Sequence, residues 1–233
     1  MAPSNGRRAA HRPREERIAD ILVAARDVFS DCGFEAASMA DIAERVGISE
    51  PAVYKYFKSK RHLLLSVIRE WYLGMIAENR RKLEGVQGIR ARVQLLVWQH
   101  LKTIRDASDL CRLFYAEVRS RPDYAGSELH RLNREATSLL TSVLEEGVAA
   151  GELRPDLPLR LVRDVVYGGI EHHVSAFLSG RGQLDCDQIA SDLTGLVFDG
   201  LGTGSSHSVT QQAVHRLERV TKRLETLLRP RAA

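Results

Sequence analysis

Cysteine, aromatic residues and long apolar runs are all scarce in this sequence. Its three cysteines, Cys32, Cys111 and Cys186, stand far apart with no C-x-x-C spacing. The opening residues are polar and arginine-rich where a secretory signal would carry an apolar stretch, so a reduced, cytoplasmic protein is the default expectation. No segment approaches about 18 uninterrupted apolar residues, which argues against a membrane-spanning helix. Aromatics make up 6% of the chain and strand signals are nearly absent. What dominates is Ala, Leu, Arg and Glu, the composition of an all-α protein. The 44% apolar content is ample for a buried core in one or two domains across 233 residues.

The net charge of +4 says less than its distribution. Four arginines (Arg7, Arg8, Arg12, Arg14) and no acid occupy the first 14 residues, and residues 205–233 hold six basic against two acidic side chains, so the stretch between is net negative by about four. A basic arm over 1–13 can neutralise phosphates in front of a nucleic-acid-reading module. It reads equally well as a solvated, flexible end.

From Arg14, the residues Ile18, Ile21, Leu22, Ala25, Val28 and Phe29 recur at helical spacing, and Gly33 supplies a stop. A short second helix begins at the N-cap Ser38, with Asp41 as its capping-box acid and Met39, Ile42, Ala43 and Val46 facing inward, and ends at Gly47. A third starts two residues later, with Ser49 as N-cap, Pro51 in the first turn, and Val53 and Phe57 as its core pair. Two short helices across a tight glycine turn, braced by a longer one, make a three-helix helix-turn-helix over 14–62. A fourth helix is expected from Ser59 to about Arg81, with Leu64, Val67, Ile68, Trp71 and Met75 on one face. Beyond the soft break at Gly85 to Gly88, helices are expected over 89–105, 108–121, 124–150, 158–179 and 187–201, within a larger bundle over 63–203. Residues 204–233 read as a glycine- and serine-rich linker and one more amphipathic helix, striped by Val214, Leu217, Val220, Leu224 and Leu228.

The run SMADIAERVGISEPAVYKYFKSKRHLL, from Ser38 to Leu64, resembles the DNA-binding signature of the tetracycline-repressor (TetR/AcrR) family. Ile42-Ala43, Gly47, Ser49, Pro51, Val53-Tyr54, Tyr56-Phe57, Lys60 and Leu63 fall at that family's spacing. Ser38 departs from the usual threonine but keeps the hydroxyl. On physical grounds a recognition helix leads with its N-terminal turn, which puts Glu50, Pro51, Ala52 and Tyr54 toward base edges in a major groove. Ser38, Ser49, Tyr56 and Lys60 lie at helix ends or flanks, where they would meet phosphates and set register. Val53 and Phe57 read as core. Tyr54 and Tyr56 would overfill so small a core, and Lys55 stands between a phosphate contact and an ordinary solvated lysine.

The resemblance implies a ligand-responsive repressor that binds a palindromic double-stranded DNA operator as a homodimer, needs no cofactor and is not an enzyme. It implies a dimer interface made by the helices over 158–179 and 187–201. Leu159, Val162, Val165, Val166, Gly169, Val174 and Phe177 form a wide apolar face there, which would equally suit an intramolecular core. The helices at 89–150 would hold a small effector, for which Trp98, His100, Phe114, Tyr115, Tyr167 and His173 are candidate lining residues, each also explicable as core packing. AEVRSRPDY at 116–124 and YGGIEHHVSAFL at 167–178 resemble the members that respond to fatty acyl-CoA thioesters. Regulation of drug efflux, or dimeric DNA binding without an effector, stay open. A metal-dependent enzyme is disfavoured because consecutive helical residues such as Glu171, His172 and His173 point about 100° apart and cannot close on one ion. A hydrolase is disfavoured because no G-x-S-x-G follows a strand.

Overall fold

In the computed structural model, which describes residues 13–201, helix α1 (Arg14–Ala36) buries the expected stripe of Ile21, Ala25, Val28 and Phe29. Gly33, at φ 80° and ψ 170°, breaks α1 one turn early and returns Phe34 against Phe29, ring centroids 5.8 Å apart. Helices α2 (Met39–Val46), α3 (Glu50–Tyr54) and α4 (Lys60–Glu84) complete the small head. α4 runs past Arg81 to a stop at Gly85.

Helices α5 (Ile89–Asp106) and α6 (Ser108–Leu113) come next. The single helix expected over 108–121 is not what forms: α6 ends at Leu113 and the chain widens into a π-helical segment, Phe114–Arg119, before a 3-10 turn at Pro122–Tyr124. Pro122 cannot extend the helical ladder because it has no N–H. Helix α7 (Glu128–Ala149) therefore starts later than its apolar periodicity predicts, capped by the Ser127 hydroxyl, which accepts from His130 N–H at 3.2 Å. Helices α8 (Leu159–Leu178) and α9 (Cys186–Leu201) close the bundle, with α9 laid chiefly along α5. No helix among the described residues is long and apolar enough to cross a membrane. The basic arm before Pro13 and the linker and amphipathic helix expected over 204–233 lie outside the described residues.

Two apolar cores meet along α4. The first joins the head, including Ile42, Val53 and Phe57, to Leu110, Phe114, Val118, Leu129 and Leu132, so the packing runs without a break across the expected boundary at residues 62 and 63. The second unites α5, the latter half of α7, α8 and α9 around Val93, Leu101, Leu144 and Ile170. Trp71 and Tyr115 pack against both.

Close packing at the far end of the bundle sets one clear test. A Cβ on Gly147 would stand 2.9 Å from both Ile89 Cγ2 and Leu153 Cδ1, whereas one on Gly74 meets nothing within 4 Å. Overpacking costs about 1–3 kcal/mol, against a helix-propensity gain of about 1 kcal/mol. In urea melts, Gly147→Ala should thus lower stability by roughly 1–2 kcal/mol, and Gly74→Ala should raise it by up to about 1 kcal/mol.

Candidate DNA-reading face and interior cavity

The Ser38 cap is reciprocal: Asp41 N–H donates to the Ser38 hydroxyl at 3.1 Å, and Ser38 N–H donates to the Asp41 carboxylate at 2.9 Å. Gly47 leaves α2 at φ 72°, a left-handed conformation that glycine adopts cheaply, and turns the chain toward α3. Val53 and Phe57 are buried and pin α3 to the head core. That anchoring turns Glu50, Pro51, Tyr54 and Lys55 outward, with Tyr54 48% exposed and Ala52 half-buried. The Ser49 hydroxyl makes no capping bond and is free for another partner. Tyr56 is half-buried beneath Arg14, whose guanidinium carbon lies 5.6 Å from its ring centroid.

The Lys60 ammonium is engaged within the head. Its ammonium donates to the carbonyls of Phe34 (2.6 Å), Glu35 (3.1 Å) and Ala37 (2.8 Å) and lies 4.6 Å from the Phe34 ring centroid. An ammonium has three protons, and all three are engaged. Lys60 thus fastens the start of α4 to the end of α1.

A cavity of about 290 Å³ opens at the seam of the two cores. Trp71, Tyr72 and Met75 of α4, Ile104 of α5 and Phe114 give it apolar surface. The lining also holds His100, Tyr115, Arg119, Tyr167 and Glu171, and Arg119 donates to Glu171 at 2.5 Å. Phe114 and Val118 pack into the first core, Phe114 also touching the cavity, while Tyr115 and Arg119 line the cavity. Burial, with help from the nearby Arg119 charge, holds the His100 pKa down to about 4. Burial also pushes the Cys111 thiol and the Tyr115 hydroxyl up to about 12. Burial opposes the Arg119 charge, but the Glu171 carboxylate outweighs it, so the Arg119 pKa is raised. The π-helical segment and the turn after it reach back to the head, where Arg61 donates to the Glu117 carbonyl at 3.1 Å and to the Asp123 carboxylate at 3.2 Å.

Residues 21–67 match the model of the bacterial regulatory proteins of the tetR family, and residues 87–201 match that of the tetracyclin repressor-like C-terminal domain. The chain belongs to the TetR family of transcriptional regulators. It is 22% identical over 190 residues to the fatty acid metabolism regulator protein of Bacillus subtilis, covering 82% of this chain and 96% of that one. To the transcriptional repressor KstR2 of Mycolicibacterium smegmatis it is 26% identical over 228 residues, covering 89% and 100%. The crystal structure of the regulator FadR from Bacillus subtilis in complex with stearoyl-CoA superposes with a TM-score of 0.69 at 21% identity, over 78% of this chain and 98% of that one, a likeness of fold.

Within this TetR-family fold, four of the six expected effector-lining residues, His100, Phe114, Tyr115 and Tyr167, come together on the one cavity. Trp98 does not join them: its indole N–H donates to Asp187 of α9 at 2.9 Å, away from the cavity. His173 is exposed beside His172, because the α8 face toward the cavity is that of Arg163, Tyr167 and Glu171. The charged lining, Arg119, Arg134, Arg163, Asp164 and Glu171, escaped the sequence reading because charges in helical runs are ordinarily solvated. Arg119 and Glu171 are 52 residues apart, and only α8 crossing the π-helical segment joins them. The fragments AEVRSRPDY and YGGIEHHVSAFL contain them and were the available signal.

Two outcomes follow from these contacts. Lys60→Met keeps the stem but removes the donor to three carbonyls, and should cost about 2 kcal/mol in a denaturant melt. His100 stays neutral in the native state down to about 4, while an unfolded imidazole takes its proton near 6.5. The unfolded state gains the proton first as pH falls, so the stability is complete above 6.5 and declines between 6.5 and 4. Thermal melts at pH 7.5 and 5 should show a smaller acid loss in His100→Gln than in the parent protein; equal losses would assign the effect to another group.

Proposed function

We propose that this regulator is a homodimeric, ligand-responsive repressor that binds a short palindromic operator through α3 and leaves it when a small apolar effector enters the interior cavity. The carrying observation is that the cavity is walled by α4 and by the π-helical segment whose exit grips Arg61 in the first turn of α4. A ligand that reshapes the wall can thereby move the head. Burying a side chain such as Leu64, Ile68 or Met75 is worth roughly 1.5–3 kcal/mol, so detaching α4 from the first core, which holds all three, would exceed the coupling of about 1–3 kcal/mol typical of allosteric pairs. A swing of the head together with α4, keeping its contacts, is the low-energy motion.

An exposed apolar stripe supports the dimer. Leu161 (59% exposed) and Val165 (50%) of α8 and Leu196 (61%) of α9 face outward. Gly168 lies between them and His172 on the same face and permits close approach of a second helix. Two copies related by a two-fold axis would bury these residues in a four-helix bundle and present two α3 helices to successive major grooves. Base reading falls to Glu50, Pro51, Ala52 and Tyr54, and phosphate contacts to Ser38, Ser49, Lys55 and Tyr56. The relatives named for fatty acid metabolism, and the similar fold that holds stearoyl-CoA, make fatty acyl-CoA thioesters the first effector class to try. We place the protein in the bacterial cytoplasm.

The test is a gel-shift on the DNA upstream of its own gene, with and without long-chain acyl-CoA thioesters. A shift abolished by a thioester supports both halves of the proposal; a shift that no ligand alters discards the effector, and no shift at low salt discards the operator. Tyr54→Ala should weaken operator binding by about tenfold or more, the effect of one base contact worth 1–3 kcal/mol, without lowering the melting temperature.

A further inference from the structure

We infer that the cavity selects the ionised acidic head of a small amphiphile, a carboxylate or a phosphate monoester, which takes Arg119 over from Glu171. The inference rests on reading this cavity as the effector site and narrows the class of ligand that fits it.

Charge balance is the first ground. The lining holds three arginines, Arg119, Arg134 and Arg163, against two acids, Asp164 and Glu171. Each acid already has its arginine: Arg119 reaches Glu171 at 2.5 Å and Arg163 reaches Asp164 at 2.6 Å. Arg134 has no carboxylate partner among the described residues. An entering cation would find each carboxylate already charge-paired with an arginine, whereas an entering anion meets Arg134, an exposed guanidinium with no carboxylate of its own.

Hydrogen-bond capacity points the same way. The hydroxyls of Tyr115 and Tyr167 have no partner among the described residues, and burial raises both pKa values, so they stay protonated donors. Gly126 N–H donates to His130 Nδ1 at 3.0 Å, which leaves the imidazole's other nitrogen to carry a proton. On the acceptor side, Asn133 Oδ1 takes the Tyr72 hydroxyl at 3.2 Å and each carboxylate already holds an arginine. Two tyrosine hydroxyls and a guanidinium without a carboxylate in one lining favour an acceptor-rich head.

Of the two pairs, Arg119–Glu171 is the one that joins the π-helical segment to α8. Its Glu171 side chain is 45% exposed and its Arg119 side chain 31%, so the carboxylate can turn to water while Arg119 keeps its place in the lining. An oxyanion with two oxygens can hold a guanidinium by paired hydrogen bonds, as a carboxylate side chain does. The exchange unties the π-helical segment from α8, and that segment holds Arg61 of α4 through the Glu117 carbonyl. At about 290 Å³ the space lies at the small end of ligand sites, which run from about 300 to 1,000 Å³. It suits an acid with a modest apolar body laid against Trp71, Met75 and Phe114, and a nucleotide-bearing thioester would have to keep its nucleotide outside.

Trp71 reports on this directly. The chain has two tryptophans, and Trp98 stands outside the cavity, so Trp98→Phe leaves a single indole in the wall. Its fluorescence would be followed during titration with decanoate, decyl phosphate, decanol and decyltrimethylammonium, all below their micellar concentrations. Decanoate or decyl phosphate should bind at least tenfold more tightly than decanol, and the ammonium should not bind; the better of the two anions names the head. Arg119→Gln should erase the advantage of acid over alcohol, and Glu171→Gln should tighten the acid several-fold. Equal binding of acid and alcohol to the Trp98→Phe protein, preference for the ammonium, or binding of none of the four overturns the inference. Operator anisotropy in the same samples separates the two readings. Acid that binds without releasing DNA refutes the effector role and keeps the anion site, while release by an acyl thioester without any acid preference refutes the anion site alone.

Discussion

Helix α4 must satisfy two hydrophobic cores at once, and the rest of the molecule is arranged around that constraint. Leu63, Leu64 and Ile68 are buried with the head, and Trp71 lies where the head core meets the bundle core. Since both cores pack on the one helix, neither can shift alone without exposing apolar surface. Lys60 adds a polar fastening at the N-terminal end, where its three hydrogen bonds close off carbonyls that the break at Gly33 leaves unpaired. The head is therefore small yet rigidly carried.

The seam between the cores is where polar groups concentrate. A close-packed interior has little room for charge, and buried charges persist when they are paired. At the rim of the seam the part-buried Arg119–Glu171 pair joins α8 to the π-helical segment. Along the π-helical segment Phe114 and Val118 pack into the first core, while Tyr115 and Arg119, one position on, line the cavity. The site thus lies at the segment that also touches the head.

Much of the head was legible in the sequence. The Ser38 and Asp41 cap, the glycine stops at Gly33 and Gly47, the inward Val53 and Phe57 and the outward Tyr54 follow from local chemistry, because caps and helical periodicity act within four residues of one another. The bundle helices were legible in number and approximate extent for the same reason. The interior was less so: aromatic character located His100, Phe114, Tyr115 and Tyr167 but also brought in Trp98 and His173, since a helix shows which residues share a face and not what that face meets.

By itself, then, the sequence determined the all-α class, the helix-turn-helix and the family to which it belongs, all of which rest on short-range spacing. Tertiary structure decided the rest. It made Lys60 a clasp on α1, converted residues 114–119 from α-helix into a wider turn, and brought Arg119 to Glu171 across 52 residues. Each depends on which helix crosses which, and that is set by burying two apolar cores together.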